Sequence, residues 1–245
     1  MIKNKRVLGI IPARKGSKGM KNKNIRLLLD KPLLSWPIKT LKETPEVDKI
    51  VVSTDSIKYK NIALKAGAEV PFLRPKNISS DKASSFSVLE HAINFLKKKG
   101  EYFDYVVMLE PTSPLTEGKD VSAALKELYK KRNMADAIIS VGRAVDFHPS
   151  FCLETNNENL IEPLVGFKNF LTLRRQDLKK IFFLDGSFYI SKVETLLNLK
   201  TFYHQKTIAK EMPKFKNIEI DTIEDFLIIE TFVKNQKLKK IKKNT

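Results

Sequence analysis

The chain has 245 residues, 42% hydrophobic and 30% charged, with 9 glycines and 11 prolines; this excludes a disordered or collagen-like bulk and suits one α/β domain of ordinary size. A net charge of +17 favours anionic partners, whether nucleotides, nucleic acid or an acidic membrane surface, without choosing among them. The single cysteine, Cys152, can form neither an intramolecular disulfide nor a Cys-rich zinc site, which argues for a reducing compartment such as the cytoplasm, and no apolar run approaches the ~20 residues of a membrane span.

The first apolar run is RVLGIIP (6–12). Pro12 and Arg14 cut it short and no small-residue cleavage site follows, so it reads as a buried first strand rather than a signal peptide. Further strand-like runs at 49–55, 105–111 and 137–142 alternate with stretches of helical spacing at 33–44, 56–66, 83–99 and 117–132. Alternating elements predict an α/β fold with a mainly parallel sheet, and continuous apolar strands predict burial on both sheet faces. Ligands of such sheets bind beyond the carboxyl ends of the strands.

From 144 to 180 the period is lost, which predicts an insertion, arm or subunit contact within a single 1–245 domain. Its apolar residues, Phe147, Phe151, Leu160, Ile161, Leu164, Phe167 and Phe170, would form an oversized patch if exposed, and so predict a homodimer. The α/β pattern resumes with FFLDGSFYIS (182–191), a helix from near Lys192, a strand NIEID (217–221) and a last helix from Thr222. The end, 234–245, carries six lysines and no acid, and reads as a solvated helix end and tail or as a binding tail.

Chemistry concentrates in the loop after the first strand, PARKGSKGMKNKN (12–24). Its glycines let backbone N–H groups approach an anion, and Arg14, Lys15, Lys18, Lys21 and Lys23 neutralise one, so polyphosphate binding is its natural use. Neither a P-loop nor a GxGxxG pattern is present. In LEPTSPL (109–115) two prolines stiffen a loop that sets Thr112 and Ser113 at the sheet edge. Glu219 and Asp221 share one face of their strand while Ile218 and Ile220 take the other; the two carboxylates read as a magnesium site completed by phosphate oxygens, or as part of a cap on the last helix, with Asp221–Glu224 or Thr222–Asp225 as the capping box. Asp55 reads as a cap on the following helix or a support for the nucleotide site, and Ser79, Ser80 or Asp81 as the cap before Ala83. His91, His148 and His204 have no metal-ligand spacing, Trp36 reads as core, and Cys152 has no activating neighbour.

Six motifs in order, IIPARKGSKGMKNKNI, VSTDS, LRPKNISSDKASS, LEPTSPL, LDGSFYIS and IEIDTIEDF, resemble the acylneuraminate cytidylyltransferases, the CMP-sialic acid synthetases with their legionaminate, pseudaminate and Kdo relatives. The resemblance implies a Rossmann-like nucleotidyltransferase fold, CTP and a keto sugar acid as substrates, Mg²⁺, and CMP-sugar with pyrophosphate as products. It also implies a dimer whose insertion reaches the neighbour's sugar site. It would place Arg14, Ser17, Lys18, Lys23 and Asn24 on the triphosphate, with Arg14, Lys23 and Asp221 catalytic, and Arg74, Ala83 and Ser85 in the cytidine pocket. Glu110, Thr112, Ser113, Arg175, Gln176 and Asp185 would fall in the sugar-acid region, and Asp221 with Glu219 on the metal. Four positions depart from the family's habit: Glu110 where Gln is common, Asp185 for Asn, Phe183 for the Arg of sialate enzymes, and Glu219 for Asp. Another sugar or nucleotide, such as Kdo or a guanylyl donor, is the rival within the class. A basic nucleic-acid-binding protein on a non-catalytic transferase scaffold is the rival outside it, supported by charge but by no RRM, KH, zinc-finger or helix-turn-helix signature.

Overall fold

The computed structural model describes residues 1–16, 20, 22–81, 83–145, 147–170 and 174–243, the side chains of Phe170, Arg175 and 236–243 excepted. In chain order the main elements are β1 (Val7–Pro12), α1 (Ser35–Lys42), β2 (Lys49–Ser53), α2 (Ile57–Ala66), α3 (Ser85–Lys98), β3 (Tyr105–Met108), α4 (Gly118–Lys130), β4 (Ala137–Arg143), β5 (Phe182–Lys192), α5 (Val193–Leu199), β6 (Thr207–Glu211) and α6 (Ile223–Lys243). The strands form one sheet in the order β6-β4-β5-β3-β1-β2. β1 runs parallel to β2 and β3, and β4 parallel to β6, while β5 is antiparallel to both β3 and β4.

Successive residues of β1 feed opposite cores. Val7 and Ile11 join Val52 and Val107 under Ile38 and Leu41 of α1, Tyr59 of α2 and Leu125 of α4. Leu8 and Ile10 join Val106 and Met108 under Leu89, Ile93 and Leu96 of α3 and Leu196 of α5. With helices on both sheet faces, neither face of these strands meets water, which is why their sequences are apolar without alternation. Helix starts are set locally: Ser56 Oγ accepts the Tyr59 N–H at the head of α2 (3.4 Å), and Ser84 Oγ the Ser87 N–H at the head of α3 (3.2 Å). The cap on α3 is therefore Ser84, not Ser79, Ser80 or Asp81, and the cap on α2 is Ser56, not Asp55.

A third apolar cluster lies beyond the carboxyl edge of the sheet. Met20, Leu28 and Leu33 meet Leu115, Ile220, Phe226 and Ile229, so the segment before α6 is pressed against the loops that leave β1 and β3. Residues 217–221 do not make the strand expected of them. They run as an extended strut, joined to the loop after β3 through Ile220 N–H to the Thr112 carbonyl (2.9 Å). The alternation survives all the same, because the cluster takes Ile218 and Ile220 and turns the acids the other way. The strand that pattern reading misses is β6, an edge strand whose sequence, TIAKE, has no apolar run and is only partly covered.

Within 144–180 the described residues form a short hairpin, Leu153–Thr155 with Ile161–Pro163, and one helical turn, Phe167–Phe170. Phe147 is 85% exposed, and Leu160, Ile161, Leu164 and Phe167 are exposed as well, while Phe151 is partly covered. Among the described residues no helix is long and apolar enough to cross a membrane.

Candidate active site

The carboxyl ends of β1 and β3 open into a cleft of about 530 Å³. The loop after β1 contributes Arg14, Lys23 and Asn24, the segment leading into α3 contributes Arg74, Asp81, Ala83 and Ser85, the loop after β3 contributes Glu110 and Thr112, and the strut before α6 contributes Glu219 and Asp221. Residues more than 200 positions apart thus meet at the edge of β1, where the chain leaves for β2 on one side and returns as β3 on the other.

Hydrogen bonds hold these loops in register. Asp55 accepts the Lys15 N–H (2.7 Å), and Asn24 Nδ2 donates to the Arg14 carbonyl (3.2 Å), so both act on the loop's backbone. Arg74 is 5% exposed, its guanidinium donating to the Ser53 carbonyl and, through Nε, to Ser53 Oγ (3.2 Å); burial lowers its pKa to about 10. Arg14 pairs with Asp81 across the mouth of the cleft. Lys23, with its side chain 13% exposed, donates to the Ile220 carbonyl (2.8 Å) and to Asp221 Oδ1 (2.9 Å), which ties the first loop to the strut.

The acidic wall has a different origin. β5 bulges opposite Ser140, whose Oγ both accepts the Phe188 N–H (2.9 Å) and donates to the Phe188 carbonyl (3.1 Å). Asp185 supports the bulge from within: it is buried, accepting from the Ser187 N–H (3.1 Å) and Oγ (3.2 Å). Gly186 then adopts φ +66, and Glu219 rests on it so closely that a Cβ there would stand 1.7 Å from Oε1. Burial first, then the neighbouring Glu110, Asp221 and Asp185, pushes Glu219 up to about 7. Burial also raises Glu110, with Asp221 adding to it and Lys23 opposing.

The cleft thus gathers Arg14, Lys23, Asn24, Arg74, Ala83, Ser85, Glu110, Thr112, Glu219 and Asp221 from the residues singled out in the sequence. Ser113 lies behind the wall, its Oγ donating to the Gly186 carbonyl (3.2 Å), and Asp185 is likewise inside the bulge. Gln176 is exposed on the turn at Arg175–Asp177, outside the cleft lining. The Arg175 side chain, Ser17 and Lys18 lie outside the described residues. Among the described residues no group of three or more His, Cys, Asp or Glu is disposed to hold a metal ion; the cleft offers the pair Glu219 and Asp221.

Residues 8–243 match the family described as Cytidylyltransferase. The chain belongs to the cytidylyltransferase family. It is 34% identical over 220 residues to the N-acylneuraminate cytidylyltransferase of Streptococcus agalactiae serotype V, covering 89% of this chain and 51% of that one. It is likewise 34% identical over 224 residues to the pseudaminic acid cytidylyltransferase of Campylobacter jejuni serotype O:2, covering 89% of this chain and 92% of the relative. The chain therefore spans about half the length of the neuraminate relatives it matches and most of the pseudaminate one. A CMP-2-keto-3-deoxy-manno-octonic acid synthetase shares the fold, with a TM-score of 0.67 at 14% identity over 94% of this chain and 99% of the other.

In this member of the family the residue that sequence reading underrated is Asp81, weighed only as a cap yet placed on Arg14. Its signal was position, two residues before Ala83 in the same motif. The cap on α6 is settled as well. Thr222 Oγ1 accepts the Asp225 N–H (3.2 Å) while Asp225 accepts the Thr222 N–H (2.8 Å), a reciprocal box that leaves Asp221 free of capping. Thr222→Ala is expected to lower unfolding free energy by about 1 kcal/mol in denaturant titration, whereas Asp221→Asn, at an exposed ion-pair partner, should cost less than that. Gly186→Ala should cost about 1–3 kcal/mol, because the new Cβ must either displace Glu219 or abandon the bulge; an unchanged melting midpoint would contradict the tight contact.

Proposed function

We propose that the chain joins CTP to a nonulosonic keto sugar acid: the anomeric hydroxyl attacks the α-phosphorus of CTP and gives up its proton to solvent, the new O–P bond forms as the bond to the bridging oxygen breaks, and pyrophosphate leaves. The observation that carries this reading is the convergence, in a member of the cytidylyltransferase family, of Arg14 and Lys23 with Glu219 and Asp221 at the sheet's carboxyl edge. Nucleotidyl transfer needs little covalent chemistry from the protein; it needs the three groups held in line and the spreading negative charge offset.

Arg14 and Lys23 are the residues to offset that charge, with Ser17, Lys18 and Asn24 completing the loop. Arg74, Ala83 and Ser85 form the cytidine side, and Glu110 and Thr112 the sugar side, with Ser113, Asp185, Arg175 and Gln176 supporting it. In the resting cleft both of these cations are matched by a carboxylate, Arg14 by Asp81 and Lys23 by Asp221. A triphosphate is a stronger partner than either acid, so its arrival would exchange these pairs and release Asp221 beside Glu219. That donor set fits Mg²⁺, which takes one or two carboxylates and fills its shell with phosphate oxygens and water. The metal, when bound, would neutralise phosphate oxygens and aid departure of pyrophosphate. The exposed apolar arm of 144–180 supports a homodimer, and the lone cysteine a cytoplasmic setting.

The direct test is pyrophosphate release from the purified chain with CTP, Mg²⁺ and a panel of sialic, pseudaminic, legionaminic and Kdo acids; silence with every acid and every nucleoside triphosphate would refute the reading. Arg14→Ala should lower kcat by about 10²-fold or more while moving the KM for CTP less, since the guanidinium meets charge that grows towards the transition state. Asp221→Asn should lose at least about 10²-fold in turnover, partly restored by raising Mg²⁺ or by Mn²⁺, because an amide is a poor ligand for a hard cation. Light scattering at working concentration should give a dimer mass, and a monomer would remove the arm's proposed role.

A further inference from the structure

Three cations line the cleft among the described residues, and each is held differently. Arg74 is buried with its guanidinium on the Ser53 carbonyl and Oγ, so moving it would strand a buried charge. Lys23 keeps the Ile220 carbonyl beside its carboxylate partner, and its side chain is largely covered. Among the described residues Arg14 alone of the three is held by a side chain with no backbone acceptor: its guanidinium reaches across the mouth to Asp81, in the segment leading into α3. The two side chains are 29% and 36% exposed, and an ion pair so open to water is weak enough to be exchanged.

The pair also answers a need of the empty cleft. Arg14 lies close enough to Arg74 for the like charges to oppose each other: burial is the main cause of the lowered Arg74 pKa, Asp55 works against it, and Arg14 adds to it. With a triphosphate bound, phosphate oxygens would neutralise Arg14; with the cleft empty, an anion at the mouth does so. A carboxylate offers the guanidinium fork the same paired oxygens that a phosphate does. We propose that Asp81 is a built-in stand-in for phosphate: it holds Arg14 while the cleft is empty, yields it to the incoming triphosphate, and takes it back as pyrophosphate leaves. Asp81 is thus a positioning residue that lowers the affinity for polyphosphate and hastens product release. The binding half of this stands on the ion pair, and the release half rests on the synthetase reading above.

Removing any acid from the cleft favours an anion there, so the test is a double-mutant cycle. Calorimetry with the full chain, Mg²⁺ and either CTP or inorganic pyrophosphate measures Kd for the wild type, Asp81→Asn, Arg14→Ala and the double variant. Asp81→Asn should tighten both ligands by about fivefold, the upper end for an exposed pair, and Asp81→Glu, which keeps the anion, should stay within about twofold of the wild type. In the Arg14→Ala background Asp81→Asn should gain less than about twofold. During turnover the inhibition constant of pyrophosphate should fall by the same factor as its Kd. An equal gain with and without Arg14 overturns the proposal by making Asp81 a source of general field, and weaker binding in Asp81→Asn overturns it by making Asp81 a permanent support of Arg14. If CTP and pyrophosphate bind but no acid reacts, the synthetase reading falls and the release half with it, while the stand-in role is judged on the two Kd values. A wild type that binds neither ligand overturns both.

Discussion

The bond from Lys23 to the strut before α6 is the contact on which the site depends. One ammonium joins the Ile220 carbonyl and the Asp221 carboxylate, and so fixes the distance between the loop after β1 and the acids before α6. Apolar packing of Met20, Leu28 and Leu115 around Ile220 and Phe226 supplies the rigidity, and the ammonium supplies the register. Because the Lys23 side chain is largely covered while Asp221 is 71% exposed, the lysine is held by its carbonyl partner and the acid is the member free to change partner. A phosphate entering the cleft meets a cation already placed and an anion ready to leave it, which is the preorganisation that charge-offsetting catalysis requires.

The acidic side is built by a backbone bulge rather than by charge pairing. A bulge in the antiparallel strand β5 brings Gly186 to a positive φ, and the absent Cβ is what lets Glu219 settle there. Asp185 and Ser113, both placed by motif in the sugar region, are committed to this bulge from behind. The cleft consequently has cations on one side, an acidic wall on the other, and Arg74 buried against the end of β2 with its guanidinium on Ser53.

The strands and helices that frame the cleft were legible because both faces of β1, β2 and β3 are covered, so burial alone wrote an apolar run. β6 was illegible for the opposite reason: as an edge strand with Lys210 in its middle it carries no run to see. At 217–221 the two-residue alternation was read correctly and its cause was not; an apolar cluster can enforce period two on an extended segment without a strand partner. Of the site, the charged residues could be named from motif order, but not the pairs they form. Arg14 with Asp81 depends on loop paths that no local spacing encodes, whereas Thr222–Asp225 was one of the two capping boxes that spacing offered and only the structure chooses between them.

The account is tested most directly by a crystal structure of the chain with CTP and Mg²⁺ soaked in. It predicts the triphosphate on Arg14 and Lys23, the Lys23–Asp221 pair opened, Asp221 and Glu219 turned to the metal, and the cytosine beside Arg74 and Ala83. A nucleotide bound elsewhere, along the lysine-rich end of α6 for instance, with Lys23 still on Asp221, would contradict it.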